Sequence, residues 1–297
     1  MAEQIPMPES SLAMDEILDE ARADDTHEVV SDVAWRRLGI VNVVFVGAAG
    51  SGDRNWVLID AGIPGTRSLI EAAAEKRFGA GARPAAIVMT HGHFDHVGEL
   101  ESLAEAWDAP VYAHSLEHPY LNGQSSYPPG DPSVGGGLMA AMARFYPRKP
   151  VDVSSRLRAL PADGSVPAMP GWRFIHTPGH SVGHVSLWRD SDRVLIVGDA
   201  FVTTRQESAY AALTQKPEMH GPPMYYTVEW DKARASVAEL AALEPEIVLT
   251  GHGRPMSGPE MRAALHRLSS DFDEIAVPKS GRYLTEPARA EDGSAYR

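Results

Sequence analysis

The apolar and polar positions of this chain alternate between short β-branched runs and amphipathic stretches. Arg37 to Gly47 and Trp56 to Asp60 flank the turn Gly50-Ser51-Gly52-Asp53, which predicts a hairpin. Ser68 and Glu71 have capping-box spacing and predict a helix to about Phe78, stopped by Gly79 and Gly81. Ala85 to Met89, bounded by Pro84, predicts a buried strand; Val97 to Trp107 predicts a helix and Pro110 to Ala113 the next strand. Trp172–His176, Val185–Trp188, Val194–Val197 and Ile247–Leu249 predict further strands, the middle two joined by a turn at Asp190-Ser191-Asp192. Trp230 to Leu243 carries Ala233, Val237, Leu240 and Ala241 on one helical face. Ser257 and Glu260, with Pro259 in the first turn, predict a last helix to about Phe272. Hairpins followed by strands alternating with helices, twice along the chain, imply an α/β (α+β) fold with helices outside mixed sheets.

Two stretches break this rhythm. Leu121 to Pro150 carries Pro128-Pro129-Gly130-Asp131-Pro132 and Gly135-Gly136-Gly137 before a short apolar segment, Leu138 to Tyr146. A long irregular connection inside a compact domain is usually a lid or binding loop. Residues 119–150 are therefore taken as a lid-like insertion, with an inert insertion as the alternative. Thr203 to Thr227 is also loop-rich and holds Arg205, Tyr210, His220, Tyr225 and Tyr226. A tyrosine there can hydrogen-bond a developing oxyanion, although aromatic packing under a long loop explains each one as well. The divisions that follow are an acidic tail over 1–29, a main domain over 30–275 and a polar tail over 276–297.

Composition narrows the classes. With 43% hydrophobic and 23% charged residues, the 297-residue chain has the make-up of a soluble globular protein. No apolar run approaches the roughly 20 residues of a membrane span, and the acidic start lacks the basic and apolar regions of a signal peptide. A cytoplasmic protein with no membrane partner is the expectation. The net charge of -13, without any run of lysine and arginine, argues against nucleic acid as a partner and fits solubility. There is no cysteine, so thiol catalysis and thiolate ligands are excluded and any metal must be held by nitrogen and oxygen.

The densest chemistry lies in Thr90 to Gly98, where His91, His93, Asp95 and His96 fall on a loop between a strand and a helix. These side chains suit a divalent transition metal, and burying them without one would be costly. Four such ligands exceed what one four-coordinate ion takes from a loop while keeping a position open for water. Either one is idle or the site holds two ions. His180, Asp199 and His252 each follow an apolar strand and have glycine beside them, which lets the backbone turn sharply. Any one alone reads most simply as a structural residue; together they supply what a two-metal site requires.

His91-x-His93-x-Asp95-His96, followed by His180, Asp199 and His252 and preceded by Asp60, resembles the metallo-β-lactamase superfamily, with five motifs in order from Asp60 to His252. The resemblance implies an αββα sandwich with its site along one edge. It implies one metal on His91, His93 and His180, a second on Asp95, His96 and His252, and Asp199 bridging them. Asp60 would orient ligands from behind. Two divalent ions, zinc first and manganese or iron next, would share an acidified water that attacks a small ester, lactone, thioester or amide. Asp95 and Asp199 would temper the charge of the centre and accept a hydrogen bond from the nucleophile. No Gly-x-Ser-x-Gly elbow competes with this chemistry. The same resemblance also covers a mononuclear iron dioxygenase of the persulfide type and a phosphodiesterase or nuclease; the full ligand set disfavours the first and the acidic charge the second. Oligomeric state is left open. His184 is expected to be structural, His114 and His118 surface or packing residues, His176 core and His266 solvent-facing.

Overall fold

The structure is a computed structural model describing residues 4–13 and 25–297. Its strands are β1 (Ile5–Pro6), β2 (His27–Val30), β3 (Val33–Leu38), β4 (Val41–Val46), β5 (Val57–Ile59), β6 (Ala86–Val88), β7 (Val111–Ala113) and β8 (Leu157–Ala159). β9 (Trp172–His176), β10 (Val185–Arg189), β11 (Val194–Gly198), β12 (Glu218–Met219), β13 (Ile247–Thr250) and β14 (Met256–Ser257) follow. The helices are α1 (Arg67–Phe78), α2 (Leu100–Trp107), α3 (His118–Leu121), α4 (Leu138–Met142), α5 (Ala209–Thr214), α6 (Trp230–Ala242), α7 (Gly258–Ser270), α8 (Phe272–Ile275) and α9 (Arg282–Thr285).

Strands β2 to β8 form one sheet in sequence order, and a second sheet runs β14-β13-β11-β10-β9. Successive side chains of a strand face opposite ways, and both faces of the central strands are apolar. Leu58 and Ile87 turn outward into a core with Ile70, Phe78, Leu100 and Leu103 of α1 and α2. Val57, Ile59 and Val88 turn inward and meet Val185, Leu187, Val194 and Ile196 of the other sheet. Leu195, Val197 and Val248 face out again, against Val237, Leu240, Leu265 and Leu268 of α6 and α7. Helix, sheet, sheet and helix are thus stacked as the expected αββα sandwich. Trp56 anchors the first helix layer, stacking on Phe78 at 4.5 Å and meeting Trp107 edge-on at 5.5 Å. Each such fully buried side chain contributes roughly 1.5–3 kcal/mol.

Several boundaries differ from the pattern. The single strand expected over Arg37–Gly47 is two, because Gly39 takes a left-handed φ of 68° and turns β3 back into β4. Apolar side chains on both sides of that turn hide it from a hydrophobicity pattern. The capping boxes do not form: α1 starts at Arg67 and α7 at Gly258, and neither Thr66 nor Ser257 makes a side-chain cap. The tails are docked where described. β1 pairs with β12, and Leu12 and Ser11 are buried; residues 1–3 and 14–24 of the expected acidic tail lie outside the described residues. After Ala276, Tyr283 and Ala295 are buried as well. No described helix is long and apolar enough to cross a membrane.

Topology brings the loops that carry the candidate residues together. β5 and β6 are parallel, as are β11 and β13, so the loops leaving each pair emerge at one edge. β10 runs antiparallel to β11, which puts the β9–β10 connection at that same edge. Gly98 lets the loop after β6 close on the loop after β5: a Cβ there would lie 2.4 Å from Ile63 C and Pro64 N. Gly98→Ala should therefore lower stability by roughly 1–3 kcal/mol through overpacking. Urea unfolding measures it, and an unchanged midpoint would mean that the two backbones can separate freely.

Candidate metal centre

Asp60 leaves β5 with a left-handed φ of 60°, which turns its carboxylate towards the next loop. Oδ1 accepts the Thr90 backbone N–H at 2.8 Å, and Oδ2 accepts the Thr90 hydroxyl at 2.8 Å and lies 2.8 Å from His96 Nδ1. Thr90 Oγ1 also sits 3.0 Å from His91 Nδ1. With their Nδ1 atoms engaged on the outer side, His91 and His96 turn Nε2 inward. The second sheet delivers the remaining groups. His252 Nδ1 donates to the Ile40 carbonyl at 2.7 Å, again leaving Nε2 for the interior. Asn42 Nδ2 donates to Thr250 O at 2.9 Å and to Gly253 O at 2.7 Å, so the β3–β4 turn braces the loop that carries His252.

All seven expected side chains converge. His91, His93 and His180 form one group, Asp95, His96 and His252 another, and Asp199 joins His91 and His96 in a third; within each, the ligand-type atoms lie within 4.8 Å of one another. Asp199 Oδ2 is central, 3.1 Å from His252 Nε2, 3.5 Å from His180 Nε2 and 3.6 Å from His96 Nε2. His252 Nε2 is also 3.4 Å from Asp95 Oδ2. His91 Nε2, His96 Nε2 and Asp199 Oδ1 are buried with no hydrogen-bond partner. Unpaired buried polar atoms cost roughly 1–3 kcal/mol each, so a cation satisfies this nitrogen and oxygen set where the protein does not.

Electrostatics point the same way. Burial holds His91 and His93 well below the ordinary histidine range, and neighbouring imidazoles push further in that direction. Burial also lowers His180, to about 4, against the pull of Asp199. Burial disfavours charge on His96 and His252, but the Asp199 carboxylate overcomes it and raises both. Burial likewise opposes ionisation of Asp199, and His252 and His96 override it. The cluster draws in positive charge, and metal binding to such a site releases the protons that otherwise supply it.

Two further residues support the cluster, and of these Glu117 carries no signal in the sequence. Glu117, fully buried, accepts Gly92 N–H at 3.0 Å on Oε2, and Ser181 Oγ–H at 2.8 Å and Gly183 N–H at 2.9 Å on Oε1, tying the His93 loop to the His180 loop. Tyr127 donates to the same carboxylate. Burial raises the Glu117 pKa and these donors oppose it. His184 is structural, as expected, and holds Asp199: its Nε2 accepts Asp199 N–H at 2.8 Å while Nδ1 meets Thr177 Oγ1 at 2.8 Å. Burial depresses its pKa to about 3, which keeps Nε2 an acceptor.

The 119–150 stretch lies over the cluster. The Tyr127 ring is 4.3 Å from that of His93, and Tyr146 packs on Phe94 at 5.2 Å. Tyr226 stacks on His93 at 4.4 Å, and its hydroxyl has no partner. A cavity of about 10 Å³ lies between His93, Tyr127, Tyr226 and Arg148, room for about one water. The other substrate candidates do not stack on a cluster histidine. Tyr225 is buried beside Tyr226, within the field of Asp95; Arg205 donates to Gly135 O at 2.8 Å, His220 lies 3.0 Å from the buried Glu207, and Tyr210 is 73% exposed. His266 pairs with Glu244 at the surface, and half-buried His176 stacks on His114 at 4.1 Å.

Glu117→Ala would deprive four buried donors, those of Gly92, Tyr127, Ser181 and Gly183, of a shared acceptor and should cost roughly 3 kcal/mol in urea unfolding, with less metal retained through dialysis. Wild-type stability and metal content in that variant would deny Glu117 its tying role. His114 gives a pH signature. Burial, then His176 and His118, lowers its pKa from 6.5 to about 4. The folded state keeps the ring neutral, so its contribution is complete above about pH 6.5 and declines as pH falls towards 4. His114→Phe should flatten that part of the stability profile measured by urea titration; an unaltered slope would contradict it.

The metallo-beta-lactamase superfamily model matches residues 36–252. The probable metallo-hydrolase YflN of Bacillus subtilis (strain 168) is 45% identical over 258 residues, 87% of this chain and 97% of its own length. The probable metallo-hydrolase YybB of the same organism is 28% identical over 170 residues, 57% of this chain and 64% of that one. A beta-lactamase domain protein from Burkholderia ambifaria shares the fold, with a TM-score of 0.59 at 24% identity over 86% of this chain and 77% of that one. With these relatives and an edge-on cluster of buried histidines and aspartates fit for a metal, the chain belongs to the metallo-beta-lactamase superfamily.

Proposed function

We propose that the protein is a dinuclear metal-dependent hydrolase of a small ester, lactone, thioester or amide, with zinc the first choice of metal. The observation that carries the proposal is the convergence of seven buried ligand-type residues whose inward atoms include three without any partner. His91, His93 and His180 would hold one ion, Asp95, His96 and His252 the other, and Asp199 would lie between them. When bound, such ions acidify a water to near neutrality and polarise the substrate oxygen.

The chain's own residues then do the rest. Asp95 and Asp199 would accept a hydrogen bond from the attacking water on a carboxylate oxygen and so orient it. His184 fixes Asp199 through its backbone amide, at 2.8 Å. The Tyr226 ring stacks on His93 and its hydroxyl has no partner, which supports a role in which it would donate to a developing oxyanion. Tyr127, Tyr146 and Phe94 exclude water above the cluster, and the narrow cavity favours a small substrate admitted by movement of the 119–150 segment.

Elemental analysis of protein purified without added metal, followed by lactone, thioester, phosphodiester and β-lactam substrates, tests this. Two ions per chain are expected, with turnover of a carbonyl substrate. Asp199→Ala should reduce metal retention and turnover by more than the roughly 10–100-fold that losing a ligand-orienting residue costs. One iron per chain with oxygen consumption on a persulfide, or full activity in Asp199→Ala, would overturn the proposal.

A further inference from the structure

Apart from Leu69 and Leu284, the exposed large apolar side chains among the described residues belong to two neighbouring short helices. Leu138, Met142 and Phe145 are 65%, 42% and 63% exposed. They recur at i, i+4 and i+7 along α4 and the 3-10 turn Ala143–Phe145, so they share one face, while Ala140 and Ala143 on the other face are fully buried. Tyr210 and Leu213 of α5, 73% and 63% exposed, form a second ridge. The two ridges are joined through their backbones: Met139 N–H donates to Glu207 O at 3.1 Å, and a Cβ on Gly137 would lie 3.0 Å from Ser208 N. Apolar side chains collected on one face of a well-packed fold mark a surface that meets a partner.

Charge identifies the partner. In a chain of net charge -13, residues 132–151 contain Arg144, Arg148 and Lys149 and no acidic residue, and residues 208–217 contain Lys216 and none. The acids that bound these segments are mostly turned in: Asp131, Glu207 and Glu218 are buried, and Asp152 is the exposed exception, at a bridge to Asn122. Arg144 lies over the Phe145 ring at 4.6 Å, a cation beside the most protruding aromatic of the segment. A second copy is a poor match, because a twofold interface would set this basic rim against another basic rim. An apolar ridge fringed by lysine and arginine, with a tyrosine and a phenylalanine at the rim, fits the boundary between acyl chains and anionic headgroups.

We propose that the face made by Leu138, Met142, Phe145, Tyr210 and Leu213 docks on an anionic lipid surface, with the exposed Arg144, Lys149 and Lys216 facing the headgroups, while half-buried Arg148 donates inward to Tyr127 O at 2.6 Å. The expectation of no membrane partner rested on the lack of a spanning segment, which has no bearing on docking from one side. The face lies on the outside of the segment that covers the metal cluster. Phe145 points to solvent, while its neighbour Tyr146 packs on Phe94 in the cluster's own loop. Docking would thus bring the mouth beside Arg148 close to the lipid, whatever reaction the cluster performs.

Flotation of the full chain with phosphatidylcholine vesicles, with and without phosphatidylglycerol, tests the proposal. The protein should float with the anionic vesicles, and at least about tenfold more weakly with phosphatidylcholine alone or at high salt. Leu138→Ser/Met142→Ser/Phe145→Ser should lose vesicle binding while keeping the wild-type melting point and metal content, since all three side chains are exposed. Leu69→Ser, an exposed apolar change on α1, should bind as wild type does. No flotation, equal binding to both kinds of vesicle, or undiminished binding by the triple variant would overturn the proposal. A wild-type dimer in sedimentation that the triple variant dissociates would assign the face to a second copy instead, and overturn it too.

Discussion

The Asp60 carboxylate is the interaction on which the metal-ligand geometry depends. It accepts two hydrogen bonds from Thr90 and sets the ring of His96, and through the Thr90 hydroxyl it reaches His91. Holding a non-glycine residue in left-handed backbone costs on the order of 1–2 kcal/mol. Each hydrogen bond that the carboxylate accepts returns a comparable amount, so the turn and the acceptor role support one another. Imidazoles could rotate freely about two bonds; here the outer nitrogens of His91, His96 and His252 are engaged, and only the inner ones are left to bind.

That arrangement spans both sheets. Ile40 and Asn42, on the first sheet's hairpin, hold the loop of His252 on the second. Glu117 does the equivalent work on the other side, joining the His93 loop to Ser181 and Gly183. The cluster is therefore held from both sheets and cannot form from one half of the chain.

The sequence displays the central strands clearly, because β6, β9, β11 and β13 are short, largely apolar runs that lead into loops rich in glycine, histidine or aspartate. The seven clustered residues are legible for a related reason: all lie in the loops that follow those four strands. What escapes it depends on long-range contact. Glu117 looks like any glutamate near a helix start, and only folding puts it against Gly92 and Gly183. Gly39 turns the chain between two apolar runs that look continuous. The docked termini are missed because polar, proline-rich stretches bury only isolated side chains such as Leu12, Tyr283 and Ala295. Of five substrate candidates in the 203–227 stretch, Tyr226 alone is stacked on a cluster histidine, and no periodicity distinguishes it from Tyr225 beside it.

The roof over the cluster is fastened from an unexpected direction. Tyr283 donates its hydroxyl to Pro129 O at 2.5 Å, and Asp131 accepts Arg282 N–H at 2.6 Å. Farther along, Tyr120 donates to Ala295 O at 2.7 Å and Tyr296 to Leu116 O at 3.0 Å. One side of each clasp, at Arg282, Tyr283, Ala295 or Tyr296, lies beyond position 252, where the match to the superfamily stops. The shared portion of the chain thus carries the means of binding metal, while the tightness of its cover is set by a trailing stretch outside that portion. A common reactive centre can in this way be given a different gatekeeper without altering any residue that builds it.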